Sequence, residues 1–339
     1  MQKIRVVFKK FRLFSVVVLF CAGLLYPEFR AGVATPYEGK KILVINSYHK
    51  GYLWSDGEME ELESILKKTP VTYEVVYMDT KYHPSEEEGR AAAEKVKKRI
   101  EEFKPDVIIS LDDPAFKYVI KAYYRDADIP VVFCGINWDI SVYGAPYTNT
   151  TGMLEIGMGE MIFQHLKKYA AGPRAGFLGT DMLSERKNAE YFGRFVKGGF
   201  TRVELVLDFE AWKRSYLSLI ESVDMLFIAA PEGIKGWNLK EAQQFILDHI
   251  RIPIGTESDR NIPLALLGIS QVPEEQGEYA AWAALEILKG VKPSQIPIAK
   301  NKKGNLYLNL KIAEKLGVVF TPSMLRNAKI IYGMEEKAK

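Results

Sequence analysis

Covalent chemistry in this chain would have to start from Cys134 and His49: a thiol at the end of one apolar run and an imidazole on the loop after another, the residue types of a nucleophile and its base. A cysteine inside the β-branched run VVFCG is better accounted for as a small buried hydrophobe. The hydrolase elbow G-x-S-x-G, the phosphate loop G-x-x-x-x-G-K-[ST] and the dinucleotide fingerprint G-x-G-x-x-G are missing, and NSYHKGYLWSDG follows the first run instead. His49, His83, His165 and His249 are scattered without metal-ligand spacing, so neither metal nor cofactor is expected and no catalytic residue is assigned.

The chain instead concentrates acidic and aromatic side chains directly after its apolar runs. These are Ser47, Tyr48 and Trp54; Asp112 and Asp113; Asn137 and Trp138; Thr180 and Asp181; Glu232; and Glu257, Ser258 and Asp259. In open parallel sheets ligands bind outside the carboxyl ends of the strands, where loops and helix N-termini converge. Carboxylates beside ring faces suit an amine or another cation, through charge-assisted hydrogen bonds and cation–π contact. A carboxylate on the same ligand could be met by helix N–H groups without an arginine, so an amino acid or related zwitterion is the expected ligand.

Plainer roles are open to the same residues. Asp113 precedes Pro114 and could cap a helix, which leaves Asp112 the better ligand candidate. Tyr48 and Trp54 could be surface packing, Trp138 a linker hydrophobe, and Asp259 the partner of Arg260.

The elements that would position these residues follow from periodicity. ILVIN (42–46), YEVVYM (73–78), VIISL (107–111) and VVFCG (131–135) predict four strands, rich in β-branched residues and too short for buried helices. Ser55 with Glu58, and Ser85 with Glu88, fit capping boxes at the starts of two intervening helices. Met59, Leu62 and Leu66 form the apolar face of one, and Ala92, Val96, Ile100 and Phe103 that of the other. After a turn-rich linker (141–152), the pattern repeats with AGFLG (175–179), VELVL (203–207), MLFIAA (225–230) and IPIG (252–255). The prediction is an α/β protein with two doubly wound parallel sheets of four strands each. Asn238 with Glu241, Asn309, and Thr321 with Pro322 predict further helix starts.

Composition agrees with a folded, two-domain chain: 339 residues, 47% hydrophobic and 26% charged. The net charge of +3 offers no case for nucleic acid. Six of the 46 basic residues and one of the 43 acidic residues lie in the first 34 positions, so the remainder holds 40 against 42 and a net −2. That leading segment has a basic start, an apolar run from Leu13 to Tyr26, and small residues before Thr35, the layout of a secretory signal over 1–34 with cleavage near Ala34. Phe20 before Cys21 is too bulky for a lipoprotein signal. Once exported, Cys134 alone remains, and no intrachain disulfide can form.

The tail GEYAAWAALEILKGVKPSQIPI, followed by LYLNLKIAEKLGVVFTPSMLRNAKIIY, resembles that of the type I periplasmic substrate-binding proteins of ABC transporters, in the subgroup associated with aromatic amino acid uptake. The matching features are a helix, a Lys-Gly-x-x-Pro turn, an Asn-Leu-Lys segment and a closing Pro helix. INSYHKGYLWSD, LDDPAF and VFCGIN are more similar to the same module in ectodomains of bacterial membrane sensors. Where the transporter proteins usually end the third strand in a Thr-Pro-Ala turn, this chain has Asp112 and Asp113 before Pro114.

The resemblance implies two lobes, 35–150 with 270–296 returning to it, and 151–269 with 297–339. They would be hinged by crossing segments near 149–153, 264–270 and 296–300. It implies a periplasmic or extracytoplasmic, non-enzymatic protein, anchored only if its signal is retained, that closes on a small molecule and presents it to an ABC permease. A separate membrane sensor as partner, and an exported hydrolase or lyase, are the alternatives.

Overall fold

The computed structural model describes residues 36–333. The expected secretory signal, with Cys21 and the cleavage point near Ala34, lies outside the described residues.

Strands come first in the chain as β1 (Lys41–Asn46), β2 (Thr72–Tyr77), β3 (Val107–Leu111), β4 (Val131–Asn137) and β5 (Thr150–Glu155). Then follow β6 (Ala175–Thr180), β7 (Arg202–Val206), β8 (Met225–Ile228), β9 (Ile254–Thr256) and β10 (Leu267–Gln271). The short β11 (Ala299–Lys300), β12 (Gly304–Asn309) and β13 (Ala328–Tyr332) close the series. The helices are α1 (Leu53–Leu66), α2 (Glu86–Phe103), α3 (Asp112–Ala115), α4 (Lys121–Tyr123), α5 (Gly159–Leu166) and α6 (Leu183–Gly193). The remainder are α7 (Phe209–Ser222), α8 (Leu239–His249), α9 (Pro273–Leu288), α10 (Leu310–Leu316) and α11 (Pro322–Asn327).

The strands form two sheets, ordered β11-β5-β4-β3-β1-β2 and β13-β12-β10-β9-β8-β6-β7. Every pairing is parallel except β10 with β12. Six and seven strands among the described residues replace the expected four and four. The five additions are β5, β10, β11, β12 and β13. β5 lies partly within the stretch expected to be a linker, β10 largely within the stretch expected to cross between lobes, β11 has two residues, and β12 and β13 flank the helical pattern of the tail. Because β1 to β5 pair in parallel, as do β6 to β10, the loops that follow them gather along the carboxyl edge of each sheet.

Both faces of the first sheet are covered. On one, Met59, Leu62 and Leu66 of α1 join Ile42, Val44 and Ile109. On the other, Ala93, Val96 and Ile100 of α2 join Leu43, Ile45 and Phe133. Each fully buried Leu, Ile or Val of this kind contributes about 1.5–3 kcal/mol relative to exposure. Phe163, Phe177, Phe227, Trp212 and Tyr216 fill the core of the second sheet. Helices α1 and α9 pack closely over the first sheet, and a methyl on Gly277 would collide with the Glu58 carbonyl. No helix among the described residues is long and apolar enough to cross a membrane.

Several local expectations hold. Ser85 and Glu88 form a complete capping box, and Asn238, Asn309 and Thr321 cap α8, α10 and α11. The Ser55–Glu58 box does not form. α1 begins two residues before Ser55, with Tyr52 at its N-cap, and Glu58 turns into the interior.

The chain passes between the sheets' elements at 156–158, at Val272 and at 301–303, slightly later than the crossings expected from sequence. These passages are tied together. Asn301 Oδ1 accepts the Ile156 N–H at 2.6 Å, and Asn301 Nδ2 donates to the Ile156 carbonyl at 3.0 Å. Gln271 donates to that carbonyl at 3.1 Å, and the Glu275 carboxylate accepts the N–H groups of Lys302 and Lys303.

Candidate functional site

Register places the chemistry. Asn46 on β1 lies opposite Leu111 on β3, which lies opposite Cys134 on β4, so the three strands end level. Just beyond, the β4–β5 register shifts between Phe133 and Ile136, with Gly135 at φ +71° inside the irregularity. Asp112 follows β3 at φ +66°, a left-handed conformation that a short polar side chain tolerates, and Pro114 fits the first turn of α3 because it needs no N–H partner there.

Asp112 is 2% exposed and Glu58 fully buried, and their carboxyls face one spot: a methyl on Gly135 would lie 2.8 Å from Asp112 Oδ1 and 2.7 Å from Glu58 Oε1. Glu58, Asp112 and the Trp54 indole N–H adjoin one another, and both Glu58 oxygens, Asp112 Oδ2 and the indole nitrogen have no protein partner outside this group. Burial pushes the Glu58 carboxyl well above its ordinary range, and the Asp112 charge adds to the shift. Burial likewise raises Asp112, with Asp113 adding to it and Lys81 opposing.

Aromatic rings wall this end. Tyr48 meets Tyr52 edge-on at 4.7 Å, and the Lys81 ammonium lies 4.4 and 4.7 Å from their ring centroids. Burial, then Asp112, raises the Tyr48 phenol. Asp113 is not a helix cap. Its Oδ2 accepts from the Asn137 N–H and Nδ2 at 3.2 and 2.9 Å, and its Oδ1 accepts from the Tyr143 hydroxyl at 2.6 Å. Ser47 is spent on structure, donating to the Leu111 carbonyl at 2.6 Å and accepting from the Ala115 N–H at 2.7 Å.

A second acidic group stands at the ends of β8 and β9. Glu185, Asn188, Phe192, Phe227, Glu257 and Ser258 line a cavity of about 220 Å³. Glu257 accepts the Met158 N–H at 2.8 Å, yet burial lifts its carboxyl to about 7. Burial also raises Glu155, at the end of β5, and the charges of Asp112, Glu257 and Asp113 raise it further. Trp138 is no linker hydrophobe: it stacks on Tyr191 at 4.5 Å with planes 4° apart and meets Phe192 edge-on at 5.4 Å.

The structure thus brings Tyr48, Trp54, Asp112, Asp113 and Asn137 together, and Glu257 with Ser258. It leaves others apart. Asp181 pairs with Arg186, Glu232 is exposed and pairs with Arg260 at 2.8 Å, and the exposed Asp259 is therefore not the partner of Arg260. Thr180 is fully buried. Cys134 is fully buried with its thiol pushed well up by burial and then by Glu58, and His49 faces Asp79 at 3.5 Å and stacks on Tyr82. A thiol so placed is a poor nucleophile. Among the described residues no group of three or more His, Cys, Asp or Glu is arranged to hold a metal ion.

Sequence reasoning missed Glu58, Glu155, Glu185, Tyr52 and Lys81. One signal was present: Glu58 stands four residues after Trp54 and four before Leu62, a charge in the register of the buried face of α1.

Residues 249–331 match the family model for ABC transporter substrate binding proteins. No curated protein matches the chain. Among solved structures it is similar to the ligand-free, open form of CD0873, a substrate binding protein with adhesive properties from Clostridium difficile. That likeness has a TM-score of 0.67 and 16% identity, over 86% of this chain and 99% of that one. A Streptococcus pneumoniae ABC domain in complex with L-Trp gives 0.52 at 17% identity, with the same coverage. An ABC transporter solute binding protein from Bradyrhizobium sp. BTAi1 with bound bis-tris gives 0.54 at 16%, over 86% of each chain. The chain has the fold of the type I periplasmic binding proteins, and its residues 249–331 carry the sequence pattern of the ABC transporter substrate-binding proteins.

Proposed function

We propose that this protein is the exported solute-binding component of an ABC importer and that it captures a small amine-bearing solute between two lobes. The observation that supports this best is the Asp112–Glu58 pair, two buried carboxyls with only each other and the Trp54 indole as polar neighbours on these oxygens, beside Tyr48 and Gly135. Two adjoining buried carboxyls cannot both carry charge without cost, and an ammonium beside them would offset it. The lobes would be built on the two sheets and close about 156–158, Val272 and 301–303. Closure on a solute held by both sides, by its differential affinity for the closed form, would give the permease a shape to recognise. The aromatic wall and the L-Trp held by the streptococcal domain favour an amino acid as one form of that solute.

Thermal unfolding of the refolded full chain against amino acids, simple amines, sugars and nucleosides tests this. A ligand at 100 times its Kd should add about 2.7 kcal/mol of stability. Shifts confined to amine-bearing compounds are expected; a shift with sugars or nucleosides alone would discard the site chemistry.

A further inference from the structure

We propose that Trp138 is a clasp between the two sheets, a side-chain link outside the chain's own passages that holds the two halves of the protein at one angle. The inference rests on the two-lobed, solute-binding reading above and concerns how its site is regulated.

Trp138 belongs to one sheet by its backbone and to the other by its ring. Its N–H donates to the Glu155 carbonyl at 2.9 Å, which continues the β4–β5 ladder by one residue. On one side of it Asn137 is held by Asp113, at 3.2 and 2.9 Å, and on the other Asp139 accepts the Ser141 N–H at 2.8 Å. The ring leaves that sheet. It stacks on Tyr191 of α6, meets Phe192 edge-on, and packs against the core that Phe177, Phe227 and Trp212 help to fill on the second sheet.

The backbone is strained where the ring departs. Trp138 has φ +63°, a left-handed conformation that a bulky residue adopts only under constraint. Such strain persists where the surroundings over-determine it, here the ladder on one side and the aromatic contacts on the other. Gly157, in the passage from β5 to α5, leaves room for both rings: a methyl there would lie 2.5 Å from Phe192 and 2.9 Å from Trp138. The Arg194 guanidinium lies 4.3 Å from the Tyr191 ring centroid and helps to keep that ring in place.

The passages at 156–158, Val272 and 301–303 are chain segments about which the sheets could turn. Rings 4.5 Å apart with planes 4° from parallel oppose such a turn, because tilting or sliding one sheet forfeits their contact. The clasp also touches residues of both strand-end groups, since Phe192 lines the Glu257 cavity and the neighbouring Asn137 binds Asp113. Clasped molecules share one angle, and the fraction of molecules at the angle a solute prefers scales its apparent affinity.

Spin labels at Lys98→Cys on α2 and Lys240→Cys on α8, both exposed positions, report the spacing of the two halves in the full chain carrying Cys21→Ser; Cys134 is buried and takes no label. Without added solute, double electron–electron resonance should give one narrow distance distribution. Trp138→Ala and, independently, Tyr191→Ala should broaden it to distances the parent lacks, while Tyr191→Phe keeps the ring and should leave it narrow. A saturating amine should narrow the Trp138→Ala distribution again, through its differential affinity for one angle. A folded Trp138→Ala or Tyr191→Ala protein whose distribution superimposes on the parent's would overturn the clasp. Broadening in both variants that none of the amino acids, amines, sugars or nucleosides reverses would support the clasp and count against the solute-binding reading alone.

Discussion

Glu58 and Asp112 come from different elements, the middle of α1 and the end of β3, yet their carboxyls converge on Gly135 closely enough that one methyl there would touch both. Gly135→Ala should therefore cost about 1–3 kcal/mol, since its left-handed backbone and the two carboxyls both oppose a side chain. Urea unfolding of the variant measures it, and an unchanged midpoint would mean that the strand end relaxes freely.

Asn301 and Ile156 hold two of the passages between the sheets together. Asn301→Ala removes the acceptor of the Ile156 N–H and should lower stability by about 1–3 kcal/mol. It should also weaken ligand binding, because closure would turn on these segments. Unfolding and titration of the same sample separate the two effects.

Glu257 ionises at about 7, against an ordinary 4.5, because burial disfavours its charge. A carboxyl held above its unfolded value supports folding fully below that value, and the support is lost as pH rises towards 7. From this group the ligand-free protein should lose stability between about pH 4.5 and 7. A bound cation favours the ionised form, so affinity for an amine should rise over the same window and level off above it. Glu58 and Asp112, raised in the same direction, add the same sign. Titrations at pH 5.5 and 8 check it, and a higher affinity at the acid end would contradict it.

Lys81 is exposed and places its charge where a ligand ammonium would compete. Lys81→Ala should tighten binding of an amine by a few-fold, with the gain fading as salt is raised. Weaker binding in the variant would make Lys81 a ligand contact instead.

Much of this was legible from residue types. The runs ending at Asn46, Leu111 and Gly135 were plain because β-branched residues repeat there, and their ends located Asp112, Tyr48 and Trp54. The rest depended on information no window holds. β5 begins in a Thr-rich turn, and its status as a strand depends on pairing with β4 across a bulge, so Glu155 at its end was invisible. Glu58 looked like a capping partner of Ser55 because local sequence cannot show that α1 begins two residues earlier and buries that side against α9. Asp113 looked like a cap because Asp-Pro usually is one, and Asn137 and Tyr143, distant in sequence, claim its oxygens instead.

The most direct test of the central claim is a calorimetric comparison of the wild-type chain with Asp112→Asn, using the best-binding amine. Asparagine accepts the left-handed backbone at this position and removes only the charge. The account predicts an affinity loss of about 2–5 kcal/mol with ligand-free stability at pH 8 unchanged or raised. Wild-type affinity in a folded Asp112→Asn protein would remove Asp112 from the site and, with it, the basis for a cationic solute.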